Sequence, residues 1–227
     1  MLKLHRRRTV CLGDMHCPQH DPRAVRWALD VVDSIKPQRV VLLGDVVDFL
    51  AVSRFPKSAE QKLGLQKELE AARKFVNTLR KRLRRREVVF LIGNHCVRMQ
   101  KYLYKQAPEL AGIPELATPR LIGVPESWKI VPYNHPHWEQ GVMTIHGTRW
   151  SRNACNAYLN DYGCSVVAGH SHRANMVNRK LPNGKVITAV ESGCLCDLKQ
   201  NYSAITNWVH AVTLIHGGRV ELIRRQQ

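Results

Sequence analysis

Val88-Val89-Phe90-Leu91-Ile92-Gly93-Asn94-His95 is the stretch from which the rest of the chain can be read. A short β-branched and apolar run ends in a glycine, then delivers Asn and His side by side. A buried parallel strand hands polar side chains to a site at its carboxyl end in this way. The pattern recurs along the chain. Val10-Cys11-Leu12-Gly13 precedes Asp14 and His16. Val40-Val41-Leu42-Leu43-Gly44 precedes Asp45 and Asp48. Val142-Met143-Thr144-Ile145 precedes His146 and Gly147, and Val166-Val167-Ala168-Gly169 precedes His170 and His172. Each strand end presents Asp, Asn or His, residue types that hold divalent metals.

Helices are expected between these strands. Asp21-Pro22 opens one, with Asp as N-cap and Pro at the first helical position. Val25, Ala28, Leu29, Val32 and Ile35 keep helical spacing behind it, and Lys36-Pro37 stops it. Strand, helix and strand in that order make a βαβ unit, so the sheet is at least partly parallel. A loop from Phe49 to Ser58 is followed by a long helix expected over roughly residues 59–85. Leu65, Leu69, Ala72, Val76, Leu79 and Leu83 form its buried stripe. It ends in Arg80-Lys81-Arg82-Leu83-Arg84-Arg85-Arg86, which reads either as a solvated helix end or as a phosphate contact. Residues 97–106 read as a further helix. Prolines at 108, 114, 119, 125, 132 and 136 then break the pattern repeatedly. We expect one domain over 1–227, with an irregular insertion at about 108–137 that walls the site. Trp128, Tyr133 and Trp138 there are either core or a stacking surface for bases. The last third reads as strand, helix, then mostly strands. Hairpins are expected about Pro182-Asn183-Gly184-Lys185 and about Gly217-Gly218.

Composition bounds the function. The formal net charge is +17, from 35 Lys and Arg against 18 Asp and Glu. Such an excess points to a polyanionic partner, most often nucleic acid, because phosphate contacts release counterions. The seven cysteines are an odd number and sit in apolar runs or beside candidate ligands. Free thiols in a reducing compartment fit better than a disulfide framework. No apolar run approaches the roughly 18 residues of a membrane helix, and the apolar stretch after Arg6-Arg7-Arg8 is too short for a signal peptide. The expectation is a cytoplasmic protein with no membrane partner; oligomeric state is left open.

Asp14-x-His16, Gly44-Asp45-x-x-Asp48, Gly93-Asn94-His95, His146-Gly147 and Gly169-His170-x-His172 occur in that order, each after an apolar strand. Together they resemble the motif series of the calcineurin-like metallophosphoesterase superfamily. The resemblance extends from Asp14 to His172. Four further stretches are spelled most like its small phage and prophage-type members. These are Asp14-Met15-His16-Cys17-Pro18, Ser53-Arg54-Phe55, Ala107-Pro108-Glu109-Leu110 and Ser192-Gly193-Cys194-Leu195-Cys196-Asp197.

The resemblance implies an α/β fold: a four-layer α/β/β/α sandwich of two mixed sheets with a dimetal site at the strand ends. It implies that Asp14, His16 and His172 hold one divalent ion. Asn94, His146 and His170 would hold a second, Asp45 would bridge both, and Asn94 would also touch substrate. Two such ions about 3.5–4 Å apart clamp a phosphate and lower the pKa of a bridging water that attacks phosphorus in line. Manganese is the foremost expectation, and iron, zinc and nickel suit the same ligands. His95 resembles the general acid that protonates the leaving oxygen. Asp48 resembles the carboxylate that fixes its tautomer and raises its pKa.

Two departures stand out. Cys96 replaces the acidic residue usual after the Asn-His pair. Phe49 stands where protein Ser/Thr phosphatases carry a phosphate-gripping Arg, which argues against that activity. Arg98 and Arg149 are the candidate substitutes for substrate binding. The expected function is hydrolysis of a phosphoester in DNA or RNA by a nuclease or phosphodiesterase. The alternatives are a small-molecule phosphatase or cyclic phosphodiesterase, and a non-catalytic nucleic-acid-binding protein.

Overall fold

Parallel pairing follows from the strand–helix–strand order of the first third. The computed structural model describes residues 7–54, 64–199 and 207–226. Strands β1 (Arg8–Leu12), β2 (Arg39–Leu42) and β3 (Glu87–Leu91) lie side by side and parallel. Helix α1 (Pro22–Ile35) makes the first crossover and α2 (Leu65–Leu83) belongs to the second. The amides of Arg23 and Ala24 donate to the Asp21 carboxylate at 2.7 and 3.1 Å, so the Asp-Pro start acts as a cap. The expected beginning of α2, at 59–63, lies outside the described residues. The loop before it contains a short 3₁₀ turn at Leu50–Val52.

Beyond β3 come α3 (Arg98–Gln106), α4 (Thr118–Leu121), β4 (Lys129–Val131), β5 (His137–Glu139) and β6 (Val142–Ile145). Then follow α5 (Ala154–Tyr162), β7 (Val166–Ala168), β8 (Ala174–Lys180), β9 (Val186–Ser192), β10 (Ala211–His216) and β11 (Arg219–Arg224). One sheet has the order β11-β10-β1-β2-β3-β4 and the other β5-β6-β7-β9-β8. Both are mixed: β10 and β11 in the first sheet, and β5 and β8 in the second, pair antiparallel. Both expected hairpins form, as β8–β9 and β10–β11.

The period-2 alternation of each strand sorts side chains into layers. Val10, Leu12, Val40, Leu42, Val88 and Phe90 pack beneath α1 and α2. Their sequence neighbours Cys11, Val41, Leu43, Val89 and Leu91 face Val142, Val167 and Val190 of the second sheet. On that sheet's outer face, Met143, Ile145, Val166 and Ala168 pack against Tyr158 and Leu159 of α5. This is the four-layer α/β/β/α sandwich. Glu139 ties the layers together: it accepts from Thr9 Oγ1 at 3.0 Å and pairs with the guanidinium of Arg39.

The proline-broken stretch is more integrated than an insertion would be. Lys129–Val131 is a parallel strand beside β3. It is only three residues long, too short for its alternation to register in the sequence. Trp128 is buried in the core and Tyr133 packs against it. Trp138 is half exposed on β5. All seven cysteines are free thiols, and six of them are buried. Among the described residues, no helix is long and apolar enough to cross a membrane.

Candidate metal centre

The carboxyl ends of β1, β2, β3, β6 and β7 meet at one place, and the polar residues after them converge there. Among the described residues four groups of potential ligands form: Asp14, His16 and His172; His16, Asp45 and His95; Asp45, His146 and His170; and, behind His172, His172 with Cys194 and Cys196. Within each, one donor atom per residue lies within 4.8 Å of the others. Asp14, His16, Asp45, Asp48, His146 and His172 are buried. Their backbone is unusual. Asp14, His16, Asp45, His170 and His172 all have positive φ, between 46° and 71°. For non-glycine residues this conformation costs of the order of 1 kcal/mol or more each, and such strain concentrates at functional sites. Gly93 permits the tightest approach. A Cβ there would stand 2.1 Å from Asp45 Oδ1 and 2.5 Å from the Asp45 amide nitrogen.

Each carboxylate uses one oxygen outward and one inward. Asp14 Oδ2 accepts from the His170 amide at 2.9 Å, while Oδ1 is buried with no hydrogen-bond partner. Asp45 Oδ1 accepts from the His95 amide at 2.8 Å, while Oδ2 lies 3.2 Å from His146 Nε2. That inward oxygen is also 3.9 Å from the Nε2 atoms of both His16 and His95.

The imidazoles follow the same logic. His146 Nδ1 donates to the Leu43 carbonyl at 2.8 Å, and a carbonyl can only accept, so Nδ1 carries the proton. In the neutral ring Nε2 then presents a lone pair, yet it stands 2.7 Å from Asn94 Oδ1, itself an acceptor. His16 Nδ1 faces Asp48 Oδ1 at 3.2 Å, and His172 Nδ1 faces Cys196 Sγ at 3.7 Å. The two remaining Nε2 atoms point at each other across 3.0 Å. Asn94 Oδ1 is also 2.8 Å from His170 Nδ1. Lone pairs converging on lone pairs and on carboxylate oxygens are an arrangement that divalent cations between them would satisfy. Outer partners that fix the protonated nitrogen are the usual second layer of a histidine metal site. The donor set therefore fits divalent metal, and two ions fit better than one, because the groups fall on two sides of Asp45.

Charge reinforces the arrangement. Burial alone would raise the carboxyl of Asp45, but the surrounding imidazoles of His146, His95 and His16 hold it well below the usual range. Asp14 and Asp48 are likewise held low by neighbouring histidines, against burial. Burial and His146 push His170 down to about 4, whereas the neighbouring carboxylates, against burial, push His16 and His146 up and His172 up to about 9.

His95 stands at the rim of this centre. Its Nδ1 makes a short contact with Asp48 Oδ1, as expected of the pair. Its protonation runs against expectation. Burial is the dominant influence and pushes the ring below its ordinary value; His16 adds to this, and Asp45 and Asp48 oppose it. Arg98 explains the local arrangement. Its Nη1 donates to the Asp48 carbonyl at 2.9 Å, and its Nη2 lies 3.1 Å from His95 Nε2. Arginine only donates, so Nε2 accepts here. Arg98 is thus part of the His95–Asp48 cluster. Arg149 is not in that cluster: its guanidinium pairs with Asp161 at the surface.

Several residues of the site were not singled out from the sequence. Glu68 is buried and accepts from the amides of Leu50 and Ala51 at 2.8 and 3.0 Å, fixing the turn after Asp48. Cys196 backs His172, and hydrogen bonding to Cys194 together with His172 pulls the Cys196 thiol down to about 5. Trp208 meets the His172 ring edge-on, with centroids 4.3 Å apart. No spacing rule connects residue 68 or 208 with a strand end, so only the fold could reveal them. The Cys194-Leu195-Cys196 spelling was visible, but its place behind His172 was not. Cys96, the departure from the usual acidic residue, is a fully buried core thiol that burial pushes up to about 12. It packs in the core.

This chain is similar to several known proteins. A sequence model of the family described as calcineurin-like phosphoesterase matches residues 7–174. The gene 54 protein of Mycobacterium phage L5 is 26% identical over 228 residues, spanning 92% of this chain and 88% of that protein. The gene 54 protein of Mycobacterium phage D29 is 27% identical over 221 residues, spanning 89% and 86%. Among solved structures, the phosphoesterase Yfce from E. coli aligns over 91% of this chain and 87% of its own, at 13% identity and a TM-score of 0.43. Vacuolar protein sorting 29 from Cryptosporidium parvum aligns over 97% of both chains, at 13% identity and a TM-score of 0.48. A dimetal phosphatase from Danio rerio aligns over 97% of this chain and 99% of its own, at 11% identity and a TM-score of 0.42.

Proposed function

This chain belongs to the calcineurin-like phosphoesterase family, a family of metal-dependent phosphoesterases, and we propose that its substrate is a phosphodiester of DNA or RNA. The observation that carries the substrate class is the formal net charge of +17. A polyanion is the partner such an excess attracts, and its phosphates supply the scissile group. Asp14, His16 and His172 would hold one ion, and Asn94, His146 and His170 the other, with Asp45 between. Manganese is the metal we propose. When bound, such ions polarise the phosphoryl oxygens and supply an activated water.

The protein's own groups do the rest. Asp45 and Asp14 are locked by the amides of His95 and His170, so the inward oxygens are preorganised. Arg98 lies beside His95 and Asp48, where an arriving phosphate would compete for its guanidinium. Drawing Arg98 toward the phosphate frees His95 Nε2. That nitrogen, once protonated, gives its proton to the leaving oxygen, while Asp48 holds Nδ1 and stabilises the charged ring.

One observation favours a second reading, a small-molecule phosphoesterase with a basic exterior. The densest basic cluster precedes β3, whereas His95 follows it, about 16 Å of strand away. Arg82 there pairs with Asp30 and Asp33, and Arg86 with Asp33. The test is a panel on manganese-loaded protein comparing a chromogenic monoester, a chromogenic diester, 2′,3′-cyclic nucleotides, and single- and double-stranded DNA and RNA. Cleavage of the polymers with the highest kcat/KM supports the proposal. Turnover of the small esters alone would select the second reading.

A further inference from the structure

The loop between β6 and α5 carries a feature that the hydrolytic chemistry does not use. It begins at His146 and Gly147, and its backbone is fixed at three points. Gly147 has a φ of +93°, and a Cβ there would stand 2.5 Å from the hydroxyl of buried Tyr158. That hydroxyl accepts from the amides of Thr148 and Arg149, each at 3.2 Å. Arg173, next to His172, donates to the Trp150 carbonyl at 2.6 Å. The Trp150 backbone is thus held between the two strand-end loops that deliver His146 and His172. Its indole is nevertheless 71% exposed, the most exposed large apolar side chain among the described residues.

Most exposed apolar side chains need no explanation. This one differs in being the side chain of a pinned backbone, four residues from His146, so that its Cα lies within about 14 Å of the His146 Cα. An exposed indole face is a stacking surface for a planar ring. Cationic residues stand about it: Arg152 is exposed on the same loop, Arg173 donates to the Trp150 carbonyl, and Arg149, also exposed, pairs with Asp161. A planar ring attached to an anionic backbone is a nucleotide, and base–aromatic stacking is tolerant of base identity.

We propose that Trp150 is the stacking platform for a nucleobase flanking the scissile phosphate, so that it sets the preference of the site for base-bearing substrate. This rests on the nucleic-acid reading above and goes beyond it by naming the residue and the group recognised. The sequence drew attention to Trp128, Tyr133 and Trp138, but Trp128 and Tyr133 pack on the core.

The experiment compares two single-stranded oligonucleotides on manganese-loaded enzyme, one natural and one with abasic sites flanking a single defined phosphodiester. Wild type should favour the natural strand by roughly 5- to 150-fold in kcat/KM. Trp150→Ala should bring that ratio close to one by raising KM for the natural strand, and Trp150→Phe should restore part of the preference. As a second readout, the natural strand should quench tryptophan fluorescence in wild type more than in Trp150→Phe. If nucleic acid is cleaved but Trp150→Ala keeps the preference, or wild type shows none, the platform is wrong and the nucleic-acid reading survives. If wild type neither binds nor cleaves any nucleic acid, that reading falls and the platform falls with it.

Discussion

Asp14 Oδ2 accepts the amide of His170 at 2.9 Å, and this bond turns the other oxygen of Asp14 into a buried acceptor with no hydrogen-bond partner. An unsatisfied buried carboxylate oxygen is costly unless a cation answers it. Asp14→Asn keeps an oxygen for the His170 amide but loses the charge. Ion content after saturation with manganese should fall from about two per chain to about one, with the circular dichroism spectrum unchanged. Asp45→Ala should lower both occupancies, because Asp45 stands between the groups. Elemental analysis of the two variants decides; a wild type that never exceeds one ion would sink the dinuclear site.

Gly93→Ala addresses the closest approach in the centre. Its Cβ would overlap Asp45 Oδ1 and the Asp45 amide, neither of which can move without dragging the β2 loop. Overpacking of this kind costs about 1–3 kcal/mol, so a denaturant midpoint should shift down accordingly. Activity should fall further than stability, since Asp45 is the displaced group. An active enzyme with an unchanged midpoint would show that the loop has slack.

Glu139 predicts a pH dependence of stability away from the centre. Burial alone would raise its carboxyl, but His137, Arg39 and Thr9 bring it down from 4.5 to about 2. A depressed carboxylate stabilises the fold fully above its unfolded pKa and loses that contribution as pH falls toward its folded value. The window is therefore from about pH 4.5 down to about pH 2, and the contribution at neutral pH is of the order of 3 kcal/mol. Urea titrations of wild type and Glu139→Gln should differ by about that much at pH 7 and converge by pH 2. Parallel curves across the acid range would remove Glu139 as the linked group.

His95→Ala separates proton transfer from metal binding. Manganese content should be nearly unchanged, because His95 stands at the rim. Turnover should drop by ~10²–10⁴-fold for alkoxide leaving groups. Nitrophenolate leaves without a proton, so the chromogenic diester should suffer less. Equal losses on both substrates would leave His95 as a group that positions phosphate together with Arg98.

Much of this was legible because strand ends obey a simple rule. Alternation and glycine punctuation located β1, β2, β3, β6 and β7, and the residues after them are those that converge. The order of motifs also located His95 and Asp48, which meet although they lie 47 residues apart in sequence. What stayed hidden depends on packing across the chain. β4 is too short to show a period. Glu68 reads as one more charge on a helix, yet burial and two amides make it a loop clamp. The depressed pKa of His95 needs the depth of burial, which no spacing reveals.

The basic end of α2 provides the last prediction. Arg82 and Arg86 lie before β3, on the side of the sheet remote from His95, and they are engaged with Asp30 and Asp33. Surface pairs such as those of Arg82 contribute only ~0–1 kcal/mol, and Arg86, more buried, also donates to the Arg82 carbonyl at 2.9 Å, so most of the stability cost of changing Arg82, Arg84, Arg85 and Arg86 together to Gln should fall on Arg86. If these side chains form only a solvated helix end, nucleic-acid affinity plotted against salt should have the same slope in the variant as in wild type, and small-diester hydrolysis should be unchanged. If the polymer reaches this far, the slope should flatten by about one unit for each phosphate that the variant no longer neutralises. A flattened slope with intact diester hydrolysis would extend the footprint from the centre around the first sheet to the end of α2. Identical slopes would show that the polymer lies away from the end of α2.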